Sequence, residues 1–152
     1  MQELILVAED GTKVLVEAGA LSPTLQYRQF ETSSKEAGGI LIGEYRGDDL
    51  RILFVTEPGG IDQRSRYRFG RRSPHHQKAA NKAWLESGFT QTHIGDWHTH
   101  PQDYPLPSPL DYSEWRTKLP QRPVLLVILG RKANWYGMWN GESFIDVTEY
   151  EC

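Results

Sequence analysis

"HTHPQDYPLPSPLD", residues 98–111, puts two histidines one residue apart at the head of a loop carrying four prolines. On a β-strand, residues i and i+2 project from one face. His98 and His100 can then reach the same ion while Thr99 faces the other way. Pro101 stops the strand there, because it has no N–H to give a ladder, and so sets the pair at a rim. No histidine follows His100. A further downstream ligand must be a carboxylate or, second in rank, the terminal Cys152. Asp111 ranks first because the rigid loop can fold it back, while Asp103 competes from what reads as exposed loop. Two histidines and a carboxylate leave one tetrahedral position open, as catalytic zinc requires.

A lone H-x-H is often no more than two surface or core histidines, and Ser108-Pro109-Leu110-Asp111 also reads as a helix-capping box. Other architectures built on H-x-H fit worse. A (β/α)8 hydrolase needs roughly 250 residues, and this chain has 152. An H-x-H-x-D-H run fails, since residues 102 and 103 are Gln and Asp. A cupin would bring a later histidine.

Outward from this loop, the chain reads as short strands and a few helices. "ELILVAEDGTKVLVEAG" alternates around Asp10-Gly11 as a hairpin. Ser22-Pro23 opens a helix with Leu25 and Phe30 toward the core. "AGGILIGEYRGDDLRILFVTEP" is a second hairpin turning at Gly47-Asp48. "SRYRFGR" is a short strand with Arg66 and Arg68 on one face and Tyr67 and Phe69 toward the core. Ser73 caps a helix that Pro74 starts and Gly88 ends. "THIGDWHTH" is the metal-bearing strand, with Trp97 as a core residue on the face opposite His98. Ser108-Pro109 starts a helix to about Leu119, and three strands close the chain. Helices mixed with mostly hairpin-joined strands predict an α+β fold. No linker divides the chain, so residues 1–152 read as one domain. His75, His76 and His93 are assigned no chemical role.

Composition narrows the function classes. A formal charge of −3 shows no basic excess, which argues against a general nucleic-acid binder. "MQELILVAED" is neither a signal peptide nor a membrane span. The single cysteine, at the last position, fits a reducing cytoplasm.

His98-Thr99-His100, seven residues, Ser108, two residues and Asp111 together resemble the JAMM (MPN+) motif of zinc isopeptidases. That family also places a glutamate just before a glycine-rich apolar strand. "KEAGGILIGEY" supplies Glu36 ahead of Gly38, Gly39 and Gly43, about sixty residues before His98. The resemblance runs from Glu36 to the last strands. It implies a JAB/MPN fold, a curved mixed β-sheet flanked by helices on a cytidine-deaminase-like scaffold. It implies His98, His100 and Asp111 as ligands of one Zn²⁺, Glu36 as general base, and Ser108 as a hydrogen-bond donor near the oxyanion. Physically, a carboxylate one water away from zinc can accept that water's proton, and side-chain-free glycines beside it would let backbone and substrate approach closely. Apart from the motif, Lys35 and Glu36 would read as a solvated charged pair.

The implied activity is cleavage after the C-terminus of a ubiquitin-like or similarly conjugated protein. The compact form is similar to bacterial members found in CBASS-type antiviral operons with E1- and E2-like enzymes, which remove protein conjugates such as those of a nucleotidyltransferase. The rivals are a non-catalytic MPN-like scaffold and a zinc hydrolase of small peptides or sulfur-carrier conjugates.

Overall fold

Short alternating strands build most of the chain in the computed structural model, which describes residues 2–150. Cys152, the second-ranked ligand, lies outside the described residues. β1 (Leu4–Ala8) and β2 (Lys13–Val16) form the first hairpin, with Leu6 opposite Val14. Its turn needs Gly11 at φ +93°, where a side chain would be strained. β3 (Gly38–Arg46) and β4 (Asp49–Val55) form the second hairpin around Gly47-Asp48. β5 (Gln63–Ser65) and β6 (Arg68–Gly70) form a separate two-stranded ribbon. α1 (His75–Glu86) precedes β7 (Thr92–Thr99), and α2 (Pro109–Lys118) leads into β8 (Val124–Leu129), β9 (Asn134–Trp139) and β10 (Phe144–Glu149).

The mixed α+β character expected from the sequence is present, but the curved sheet goes further and closes into a barrel. Around the ring the order is β1, β10, β9, β8, β7, β3, β4, β2, with β2 returning to β1. β7–β8 and β2–β4 are parallel and the other pairs antiparallel. Closure follows from the chain's two ends meeting: Leu6 stands opposite Glu149, and β2 lies along β4. No sheet edge of the ring is left unpaired.

Burial on two faces explains the apolar run "VLLVIL" of β8. Leu125, Val127 and Leu129 point into the barrel with Leu6, Leu41, Ile52 and Trp97. Val124, Leu126 and Ile128 point outward beneath Trp115 of α2. Parallel β7 and β8 require a crossover, and α2 is that crossover. α1 covers the outer face of β3, where Ala80 and Ala83 meet Ile40 and Ile42.

Four local expectations change. Ser22–Tyr27 is a 3-10 helix; Leu25 packs on the core but Phe30 is 63% exposed. Ser73 does not cap α1: its Oγ accepts the Ile61 N–H, and Pro74 stands at the N-cap. Gly88, at φ +71°, follows the C-cap as expected. "SRYRFGR" is not one strand, because Arg66 and Tyr67 form the turn between β5 and β6, which leaves Tyr67 72% exposed rather than in the core.

Candidate metal centre

Three elements end at one rim of the barrel. β7 turns Trp97 inward, 1% exposed, where its indole N–H donates to the Thr56 carbonyl at 2.9 Å. The period of two therefore sends His98 and His100 outward, beneath α2. β3 lies beside β7 with Gly38 opposite His98, so Glu36 sits at the same end. Its N–H donates to Ser65 O at 2.7 Å and its carbonyl accepts from Arg64 Nε at 2.8 Å. α2 supplies Asp111 in its first turn.

The capping box read in the sequence is real. Ser108 Oγ accepts the Asp111 N–H at 3.1 Å, and Asp111 Oδ2 accepts the Ser108 N–H at 2.8 Å. The box orients the Asp111 carboxylate. Oδ1 lies 3.2 Å from His98 Nε2 and Oδ2 3.1 Å from His100 Nε2, and the two imidazole nitrogens are 3.1 Å apart. Glu36 stands with them, a carboxylate oxygen within 4.8 Å of a nitrogen of each histidine. The two carboxylates, Asp111 and Glu36, thus both reach the histidine pair. Asp103 is instead engaged with Arg131 at 3.0 Å.

Burial shapes the electrostatics. Glu36 is 4% exposed, so it is no solvated partner of Lys35. Desolvation pushes its pKa up to about 8; the Asp111 and Glu114 charges push the same way, against the pull of His100. Burial would also raise Asp111, but hydrogen bonds to His100 and His98 hold it well below the usual carboxylate range. Burial would lower His100, yet the bond to Asp111 and the charges of Asp111 and Glu36 raise it. Three buried polar groups, Glu36, His98 and His100, with the partly buried Asp111 this close to them, form a site for a cation.

Gln102, which spacing did not single out, lies with Oε1 3.1 Å from His100 Nδ1. An N–H at Nδ1 donated there leaves the Nε2 lone pair directed at the centre. The glycines allow the close backbone approach expected of them. A Cβ on Gly38 would fall 2.6 Å from the Phe69 ring, and one on Gly39 2.2 Å from Thr56 O. They admit the protein's own neighbours at close range. The open approach is a cleft of about 160 Å³ between the β5–β6 ribbon and α2, with Tyr67, Arg68 and Phe69 on one wall and Leu110, Glu114 and Trp115 on the other.

The family model described as prokaryotic homologs of the JAB domain matches residues 24–141. A protein of Vibrio cholerae serotype O1 named CD-NTase/cGAS isopeptidase is 40% identical over 136 residues, 89% of this chain and 87% of that one. One of the same name from Escherichia coli strain TW11681 is 36% identical over 138 residues, 90% and 88% of the two chains. The solution structure of a Desulfitobacterium hafniense protein superposes with a TM-score of 0.58 at 24% identity, covering 90% of this chain and 88% of that one; this likeness shows the fold.

A His-His-carboxylate cluster with a second acid beside it, in a chain 36–40% identical to proteins named isopeptidases over about nine-tenths of its length, marks a JAMM-type metallopeptidase of the isopeptidase class, with a metal ion as its cofactor. The chain belongs to the prokaryotic homologs of the JAB domain. The match begins twelve residues before Glu36, earlier than the motif alone marks.

Proposed function

We propose that His98, His100 and Asp111 hold one zinc ion, and that Glu36 and Ser108 work beside it to hydrolyse the bond after the C-terminus of a ubiquitin-like or otherwise conjugated protein. The observation that carries this reading is the close approach of three side chains: the His98 and His100 Nε2 atoms lie 3.1 Å apart, with Asp111 Oδ1 3.2 Å from the first and Oδ2 3.1 Å from the second. A tetrahedral ion with bonds of about 2.0–2.1 Å has ligand-to-ligand edges of about 3.3 Å. Two nitrogens and one oxygen are a donor set suited to zinc, and they leave a fourth position for chemistry.

When bound, zinc supplies Lewis acidity toward a carbonyl oxygen and acidifies water. The remaining work falls to the chain. Glu36, buried and made more basic by that burial, takes a proton from water and passes it to the leaving amine. The capping bond uses a lone pair of Ser108 Oγ and leaves its hydroxyl hydrogen to donate to the tetrahedral oxyanion. Gln102 holds the His100 ring, and the capping box holds Asp111. The narrow cleft suits an extended chain terminus rather than a folded surface.

The CD-NTase of the relatives' name supports a nucleotidyltransferase conjugate as substrate. E1- and E2-like enzymes that build such conjugates would be operon partners in antiviral defence, in the cytoplasm. No helix among the described residues is long and apolar enough to cross a membrane. Residues 1–152 act as one peptidase domain, which the pairing of β1 with β10 supports.

The test combines metal analysis with cleavage of an isopeptide-linked nucleotidyltransferase conjugate. About one zinc per chain is expected. His98→Ala and Asp111→Ala should lose zinc and cleavage together. Glu36→Gln should keep zinc and lose about 10²–10⁴-fold in turnover. Full zinc occupancy in a His98/His100 double mutant would remove the ligand assignment. Faster turnover of a short peptide than of the protein conjugate would favour the small-substrate rival.

A further inference from the structure

Two fully buried polar side chains stand behind the metal centre and touch no part of the cleft. Thr99, between the two histidines, and Gln29, seventy residues earlier, are each 0% exposed. At the end of the β3–β7 ladder, Thr99 N–H donates to Ala37 O at 2.9 Å. The return bond is made by a side chain: Ala37 N–H donates to Thr99 Oγ1 at 3.0 Å. The single hydroxyl hydrogen of Thr99 goes to Gln29 Oε1 at 2.8 Å. That fixes the amide, whose Nε2 donates to Arg66 O at 2.9 Å and Ser34 O at 3.2 Å. Both amide hydrogens and the oxygen of Gln29 are engaged, as deep burial demands.

The bonded segments are the ones that matter to the site. Ala37 is the neighbour of Glu36. Arg66 lies in the turn of the ribbon whose Ser65 carbonyl holds the Glu36 N–H at 2.7 Å and whose Tyr67, Arg68 and Phe69 wall the cleft. One glutamine therefore grips Glu36 from both sides: through Thr99 to the following residue, and through the ribbon to its own N–H.

We infer that Gln29 and Thr99 are positioning residues, a buried clasp that keeps Glu36 in register with His98 and His100 and fixes the cleft wall to the same point. The inference rests on the reading of Glu36 as the base. Displacing a reacting group by about 1 Å costs on the order of 10²-fold in rate, so a loosened clasp should act on turnover without touching a metal ligand. The two halves of the amide have separable consequences. Thr99→Val keeps the shape and removes the hydroxyl; kcat per bound zinc should fall about 10- to 100-fold with zinc content and KM kept. Thr99→Ser should restore kcat. Gln29→Leu should lower kcat similarly and also raise KM, since it frees the Arg66 carbonyl and with it the cleft wall.

A merely structural role makes a different pattern: lower melting temperatures with wild-type kcat and KM per bound zinc, and that pattern overturns the clasp. Should the apolar variants fail to fold, Gln29→Asn decides. Its shorter side chain cannot span Thr99 and Arg66, so unchanged kcat and KM in that variant also overturn the inference. Amide hydrogen exchange at Arg68 and Phe69 needs no turnover and should quicken in Gln29→Asn; unchanged exchange counts against the clasp. A wild-type enzyme without cleavage, or a Glu36→Gln variant as fast as wild type, would defeat the reading of the site instead, and the exchange comparison would still judge the clasp.

Discussion

Glu36 is held where a carboxylate is least comfortable, and this has a measurable consequence in the metal-free protein. With its pKa near 8 in the fold, Glu36 keeps a proton that the unfolded chain releases at about 4.5. His100, raised above its ordinary value, likewise keeps a proton that the unfolded chain has lost above about 6.5. Over this range the native state binds more protons than the unfolded state, so stability falls as pH rises. In chelator, the melting temperature should drop between pH 6.5 and 8, and Glu36→Gln should flatten the drop. With zinc present the slope should weaken or reverse, because metal binding competes with those protons. A metal-free melting temperature that rises over the interval would sink this account of the site. The cap that Ser108 makes and the oxyanion role proposed for it separate on one sample. Loss of its cap in Ser108→Ala should cost about 0.5–2 kcal/mol of stability, and loss of an oxyanion donor about 10²–10³-fold in turnover. Stability lost with turnover kept would leave only the cap. The convergence of His98, His100 and Asp111 was legible because it depends on local rules, the period of a strand and a capping box. Gln29 and Thr99 were not, because their meaning depends on partners seventy residues apart.

At the scale of elements, the start of α2 and the tight turns were readable, while the cap of α1 and the basic segment were not. Residues 64–72 hold five arginines, and an unbroken strand would put Arg66 and Arg68 on one face. The turn divides them instead. Arg66 donates to the Glu31 and Thr32 carbonyls at 3.2 and 2.6 Å and packs over Tyr67. Arg68 crosses the cleft to Glu114 at 2.9 Å, half exposed. Arg66→Ser should therefore destabilise the protein more than Arg68→Ser, whose exposed ion pair is worth under about 1 kcal/mol. Arg68→Ser should act on KM and its salt dependence. Urea midpoints in the reverse order would show that Arg68 is the structural residue. His76, given no role from sequence, also proves structural. Its Nδ1 lies 2.5 Å from Thr56 Oγ1 and its Nε2 2.7 Å from Asp62 Oδ2. The Thr-His-Asp order suggests a nucleophile, but Thr56 is 7% exposed and its oxygen already accepts the Ile40 N–H. The network ties α1 to β4 and to the loop before β5. Spacing could not show this, since His76 lies on α1 while Thr56 and Asp62 lie in the loop after β4.

At the scale of the whole molecule, both hairpins were visible in alternation and turn glycines, but closure was not. Nothing local marks β2 to run parallel to β4, or β1 to meet β10; each pairing is decided by the other strands. Closure makes the first strand part of the same body as the metal rim, although they are far apart in sequence. Leu6 tests this. It is 0% exposed and shares its cluster with Trp97 of the metal strand and Leu129 of its parallel neighbour. Leu6→Ala should cost about 2–5 kcal/mol while leaving one zinc per folded chain, since no ligand is touched. Because the barrel is one packed unit, tryptophan fluorescence and zinc release should follow a single urea transition, and both midpoints should move down together in the variant. A fluorescence midpoint that shifts while zinc release stays put would mean that β1 and β2 unfold apart from the site, and that residues 1–152 do not behave as one domain.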